Sequence, residues 1–222
     1  MGYKKVKLSA VLLFGLWLTV LQAQTVKDID GNVYNTLTIG TQVWMAENLK
    51  TTRYRNGDII GTTTTVTLDI RSESSPQYQW AYNGKESNVA TYGRLYTWYA
   101  ITDNRGVCPI GWHVPTDAEW STLTTFLGGE IVAYSKLKET GDIHWIKYDT
   151  GTNELGFTAL PGGLRNSSGL FDDIGSSGCW WSSTEYGKYD AWYRLMGYNL
   201  SCVYRYLYLK RNGFSVRCVM NY

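Results

Sequence analysis

The chain has 222 residues, of which 15% are aromatic and 18% charged, with a formal net charge of +2. That length favours one domain, and the aromatic load excludes a disordered chain in favour of a packed body. The near-balanced charge argues against a nucleic-acid binder, which carries a basic excess or stripe.

Residues 1–23 read as a signal peptide. Lys4, Lys5 and Lys7 precede an apolar run from Leu8 to Leu21, and small Ala23 closes it. The run falls short of the about 20 apolar residues a membrane helix needs, so no transmembrane span is expected after its removal. No cysteine directly follows it, which argues against a lipid anchor. Its loss removes three lysines and no acid, so 21 basic residues fall to 18 against 19 acidic ones, formally −1. Residues 24–222 are expected to form one exported domain.

The exported part opens with two β-like runs, Val26–Ile29 and Val33–Ile39, around Asp30-Gly31-Asn32, the signature of a hairpin turn. Asp28, Asp30 and Asn32 suggest a calcium loop, but Gly31 comes too early and no glutamate closes it, so a turn is expected. Gly40-Thr41 marks a second turn before Val43-Trp44-Met45. Residues 53–91 are polar and weakly periodic, with Thr62–Thr67 as a candidate edge strand. Two helices are predicted next. In TYGRLYTWYAIT, Leu95, Trp98 and Tyr99 share a helical face with Tyr92 one turn earlier. In VPTDAEWSTLTTFLGG, Thr116 and Glu119 form a capping box, Trp120, Leu123 and Leu127 follow at helical spacing, and Gly128-Gly129 stops the helix. After about residue 130 the chain reads as loops and short strands, including Cys179–Thr184, Ala191–Leu195, Val203–Leu209 and Phe214–Val219. Strands, two helices, then more strands make an α+β arrangement with antiparallel pairing.

Cys108, Cys179, Cys202 and Cys218 all follow the signal segment. An even number in an exported chain favours two disulfides, with three pairings possible. Zinc is not expected, because no two cysteines are closely spaced and His113 and His144 are isolated.

The pieces VWMAENLKTTRYRNGD, YGRLYTWYA, CPIGWHVPTDAEWSTL, NELGFTALPGGLR, CWWSSTE and GFSVRCV resemble, in order, the bacterial Fibrobacter succinogenes major paralogous domain family. They span about residues 26–220. The resemblance implies a C-type-lectin-like fold, loop-rich, with two helices among antiparallel strands, in a protein that is secreted, periplasmic or at a bacterial cell surface. It also implies that Cys108 pairs with Cys218, which leaves Cys179 to pair with Cys202.

Enzymatic signatures are missing. His113 beside Trp112 has no partner motif and reads as a packed residue. Ser182 and Ser183 lack a nucleophile elbow. Glu119, Asp117 and Glu154 imitate a carboxylate pair, but the cap explains Glu119. Asp172 and Asp173 are the best calcium candidates, yet the sugar-lectin calcium motifs are absent. No metal and no cofactor is expected.

Binding is indicated instead by the run from Glu185 to Lys210. Tyr204, Tyr206 and Tyr208 alternate along a predicted strand with Val203, Arg205, Leu207 and Leu209. With Val203, Leu207 and Leu209 inward, the three tyrosines face outward together and Arg205 needs an acid or carbonyls within. Tyr186, Tyr189, Trp192, Tyr193, Tyr198 and Asn199 complete the proposed contact set. Tyrosine brings large contact area on two rotatable bonds, as in antibody loops. The expected ligand is an extracellular protein or carbohydrate. The composition also resembles the variable stretch of retroelement-diversified lectin-like proteins, with CWWSST and GFSVRCV as constant flanks. The rival expectations are an enzyme of the formylglycine-generating or glycan-active kind, and a structural surface subunit.

Overall fold

The computed structural model describes residues 1–2, 24–146 and 151–221; the expected signal peptide lies almost entirely outside the described residues. Among them no helix is long and apolar enough to cross a membrane.

The N-terminal hairpin forms as expected. Strand β1 (Thr25–Lys27) pairs with β2 (Val33–Ile39), and Asn32 donates from its backbone and side chain to the Asp28 carboxylate at 2.9 and 2.8 Å. Asp28 also accepts from the buried Tyr34 hydroxyl at 2.6 Å, so its oxygens organise the turn. Strand β3 (Gln42–Met45) follows across the Gly40-Thr41 turn. The candidate strand Thr62–Thr67 is irregular chain instead. Its neighbourhood is satisfied by buried Arg165, which donates to the carbonyls of Val66 at 3.0 Å and Leu68 at 2.6 Å.

The first predicted helix is broken. One turn, α1 (Val89–Tyr92), ends at Gly93; β5 (Leu95–Thr97) and a second turn, α2 (Trp98–Ile101), follow. Gly93 has φ +74°, and a Cβ there would sit 2.7 Å from Asn48 Cβ and 2.8 Å from the Leu49 carbonyl. Strand β5 pairs with β4 (Gln79–Trp80), so sheet pairing overrides the helical spacing of Leu95 and Trp98.

The second helix matches expectation: α3 (Asp117–Phe126) has both halves of its capping box, with Glu119 N on Thr116 Oγ1 at 3.2 Å and Thr116 N on Glu119 Oε2 at 2.7 Å. Gly128 and Gly129 stop it at φ +104° and +97°. Gly129 then opens a further helix, α4 (Glu130–Leu137), where only loops and strands were expected. Its Ile131 and Val132 are exposed, while Ala133, Tyr134 and Leu137 enter the core. Packing stabilises a segment whose β-branched start gives little helical signal.

The remaining strands are β6 (Trp112–His113), β7 (Gly162–Arg165), β8 (Phe171–Ile174), β9 (Ser177–Tyr186), β10 (Asp190–Gly197), β11 (Tyr204–Leu209), β12 (Gly213–Phe214) and β13 (Val219–Met220). The expected strand Phe214–Val219 is thus split in two. One sheet runs β1-β2-β3-β13-β6; the other runs β11-β10-β9-β7-β12-β5-β4, with β8 beside β7. Pairing between these strands is antiparallel except β7 with β9. The architecture is α+β, mostly strands with few short helices.

Strand β9 separates two cores. Trp181 joins Tyr96, Phe214, Val216 and the Cys108–Cys218 pair in one. Trp180 joins Trp44, Trp120, Phe157 and Leu123 in the other.

Cys108 and Cys218 form the expected disulfide, with Cα atoms 6.0 Å apart and 110 residues apart in sequence. Cys179 and Cys202 do not pair; both are free thiols. Cys179 stands opposite Leu195 on β10, whose other neighbour is Tyr204 on β11. A whole strand therefore lies between the two cysteine-bearing segments, at about 4.8 Å per strand, beyond disulfide reach. Replacing Cys108 and Cys218 together by alanine is expected to lower unfolding free energy by about 4–5 kcal/mol in denaturant titration, the loop-entropy value for a closure this long.

Candidate ligand-recognition edge

The C-terminal hairpin strands build outward from β9: β10 pairs with β9, and β11 pairs with β10 as the last strand of its sheet. Register fixes which side chains share a face. Tyr208, Tyr206 and Tyr204 stand opposite Ala191, Tyr193 and Leu195. Tyr193 and Leu195 stand in turn opposite Trp181 and Cys179. The tyrosine face is thus the continuation of the first core's face beyond the sheet interior.

Burial falls off along that face. Tyr193 is 6% exposed, Tyr208 39% and Tyr206 46%. Tyr193 packs on Phe214 with ring centroids 4.7 Å apart and touches the Tyr208 and Tyr206 rings at 5.9 and 6.4 Å. Tyr204 and Tyr206 stack at 5.3 Å with planes 3° apart. Tyr206 and Tyr208 rest on this aromatic base with their outer faces exposed, whereas Tyr204, expected outward with them, is half-buried.

The inward set expected for β11 is corrected. Val203 is buried, but Leu207 is half-buried and Leu209 is 41% exposed. An edge strand has little above it on either side, so alternation alone does not decide burial. Arg205 does find the expected acid, though on an exposed face rather than an inner one. Its guanidinium donates to Asp117 at 2.8–3.0 Å and lies 3.4 Å over the Trp192 ring. Tyr186 packs edge-on against the same Trp192 at 5.3 Å.

The nine proposed contact residues therefore divide. Tyr204, Tyr206 and Tyr208 form one surface. Tyr186 and Trp192 lie on the opposite face of the sheet. Tyr193 is interior, Tyr198 is half-buried against the second core, and Asn199 is exposed in the following turn. Tyr189 is exposed at the tip of the β9–β10 hairpin, where its carbonyl accepts from Lys210 N at 2.9 Å.

Two residues absent from that set organise the edge. Asp117 bridges Arg205 and the buried Arg194, which donates at 2.7 Å. Burial alone would raise the Asp117 pKa, but hydrogen bonds from Arg205 and Arg194 outweigh it and hold the carboxyl below its usual range. Lys210 continues the alternation of Tyr204, Tyr206 and Tyr208, a signal present in the sequence. It is buried, sits 4.7 Å from the Trp98 ring, and donates to Glu185 and the carbonyls of Gly187 and Lys188.

His113 bonds Glu119 at 2.8 Å and Asn221 at 2.6 Å, tying the helix cap to the last strand's end. Asp172 and Asp173 are exposed on β8, and no three His, Cys, Asp or Glu side chains converge among the described residues. Burial pushes the Cys179 thiol well above its ordinary range.

Asp117→Asn is expected to cost about 3 kcal/mol at neutral pH, because it leaves buried Arg194 without its carboxylate. The folded pKa is depressed, so the stabilisation is present above the ordinary carboxyl range and is lost as pH falls through the folded value. Chemical denaturation from pH 7 to pH 3 should show the wild-type and variant curves converging below about pH 4. Thiol titration without reductant should find two thiols in denaturant, with Cys179 unreactive in the native protein.

Neither a curated protein nor a solved structure matches the chain. The family description that matches is the Fibrobacter succinogenes major domain, over residues 37–220. That span takes in the second core, the first core except Tyr34 and Val26, the disulfide and the tyrosine edge, and the chain belongs to the Fibrobacter succinogenes major domain family.

Proposed function

We propose that this protein is an exported recognition domain, not an enzyme, that holds an extracellular protein or glycan against the tyrosine edge of β11. The carrying observation is the parallel pair Tyr204 and Tyr206 on an edge strand, backed by buried Tyr193 and Phe214. Rings already fixed against a rigid base lose little entropy on binding, and each offers a flat apolar face with a hydroxyl tip. A C-type-lectin-like fold is in keeping with the way β13, near the C-terminus, closes between β3 and β6 in the sheet holding the N-terminal hairpin. The formylglycine-generating alternative needs a redox pair of cysteines, and β10 stands between Cys179 and Cys202. The run from Glu185 to Lys210 also suits a diversified stretch, since β10 and β11 form the outer end of their sheet. That part of the reading fails if no reverse transcriptase and template repeat accompany the gene.

The test is a binding screen of the domain from Gln24 onward against surface glycans and extracellular proteins, repeated with Tyr204→Thr and Tyr206→Thr combined. Threonine keeps strand propensity while removing the rings. Binding should fall at least about ten-fold, as for contact residues at the centre of an interface. The melting temperature should stay within about 4 °C. Unchanged binding with a melting temperature several degrees lower would reduce the ladder to a sheet-stabilising device.

A further inference from the structure

Beyond the ladder, the chain forms an open cleft of about 410 Å³ where the β9–β10 hairpin tip meets the segment after β11. Tyr189 and half-buried Tyr99 supply aromatic surface to it. Exposed Ser74 and Ser75 line another side with hydroxyls. Lys188, Lys210, Arg211 and Glu185 complete the lining.

The charges there do not cancel. Three cations face one carboxylate, a local excess of +2, whereas residues 24–222 carry 18 basic and 19 acidic residues. Glu185 is committed to Lys210. Among the described residues, neither Lys188 nor Arg211 takes part in an ion pair. Arg211 donates through Nε to the Glu73 carbonyl, a contact that orients the guanidinium and supplies no charge. Among the described residues the Glu73 carboxylate forms no ion pair with Arg211. Lys188 lies 5.1 Å from the Tyr189 ring.

We propose that this cleft takes an acidic sugar residue, its apolar ring face against Tyr189 and its carboxylate between Lys188 and Arg211. Aromatic surface, free hydroxyls and two uncompensated cations in one open cleft match a ring that is apolar on its face, hydroxylated at its rim and anionic at one substituent. The core of a protein-binding surface is depleted of charged residues, whereas this cleft is lined by four, Glu185, Lys188, Lys210 and Arg211. The inference rests on the recognition reading and adds the ligand class to it. Glu185 in the cleft lining stands across Ala191 from Tyr208, so the cleft adjoins the Tyr208 end of the ladder.

The experiment is calorimetry of the domain from Gln24 onward with uronic- and sialic-acid oligosaccharides, each beside its methyl ester, which keeps the ring and removes the charge. At least one acid is expected to bind about ten-fold or more tightly than its ester, with affinity falling as salt rises. Lys188→Gln and Arg211→Gln should each weaken the acid by several-fold and leave the ester unchanged. Lys188→Gln is the cleaner variant, since its side chain takes part in no hydrogen bond that holds a loop. Equal affinity for acid and ester, insensitivity to both variants, or no binding by any acid overturns the inference. If a partner dependent on Tyr204 and Tyr206 is still captured in that event, the recognition reading stands without it.

Discussion

The fold turns on two adjacent tryptophans that a strand must send in opposite directions. Trp180 and Trp181 are both fully buried, one in each core, and β9 is the wall between them. Each indole N–H must find an acceptor once buried. Trp180 donates to Asn48 Oδ1 and Trp181 to the Tyr96 carbonyl, both at 2.8 Å. These bonds fix β9 against the N-terminal segment on one side and β5 on the other. Strands β10 and β11 then follow β9 in register, with Asp117 of α3 tying Arg194 and Arg205 from the other face, so the tyrosine edge takes its orientation from β9.

Buried cations do a related task. Arg165, Arg194, Lys210 and Arg217 are each about 1% exposed or less. Among the described residues Arg217 forms no ion pair: it donates to Asn48 Oδ1 and to the carbonyls of Phe157 and Thr158, and burial lowers its pKa to about 9. Arg165 is lowered to about 10 by burial and holds the carbonyls of the loop at Val66 and Leu68. Loop carbonyls cut off from water need donors, and a guanidinium supplies several at once. Irregular chain is thereby packed into the body without further sheet.

The family motifs and the proposed binding surface occupy different parts of this framework. VWMAENLK provides Trp44 and Asn48, CPIGWH provides Cys108 and Trp112, NELGFTALPGG provides Phe157, CWWSSTE provides the two tryptophans, and GFSVRCV provides Phe214, Arg217 and Cys218. Each contributes core side chains or the bonds that hold them. Strands β10 and β11 lie between the last two motifs. Side chains exposed there are free of the packing constraints that bind Trp180 or Phe214, and a recognition surface is best placed where such constraints are weakest.

Local chemistry was legible in the sequence wherever it is self-contained. The hairpin at Asp30-Gly31-Asn32, the capping box of Thr116 and Glu119, the stop at Gly128-Gly129 and the strand character of Tyr204–Leu209 each depend on neighbours a few residues away. The Cys108–Cys218 pairing was legible through the family motifs. Only tertiary structure decided the rest. Pairing of β5 with β4 broke a segment that has helical spacing, with Gly93 leaving room for the backbone to pass close to Asn48 and Leu49, and packing made a helix of Glu130–Leu137. The intervening β10 separated Cys179 from Cys202. Which tyrosines share a surface followed from register across three strands, and register is a relation between distant segments that no single stretch of chain contains.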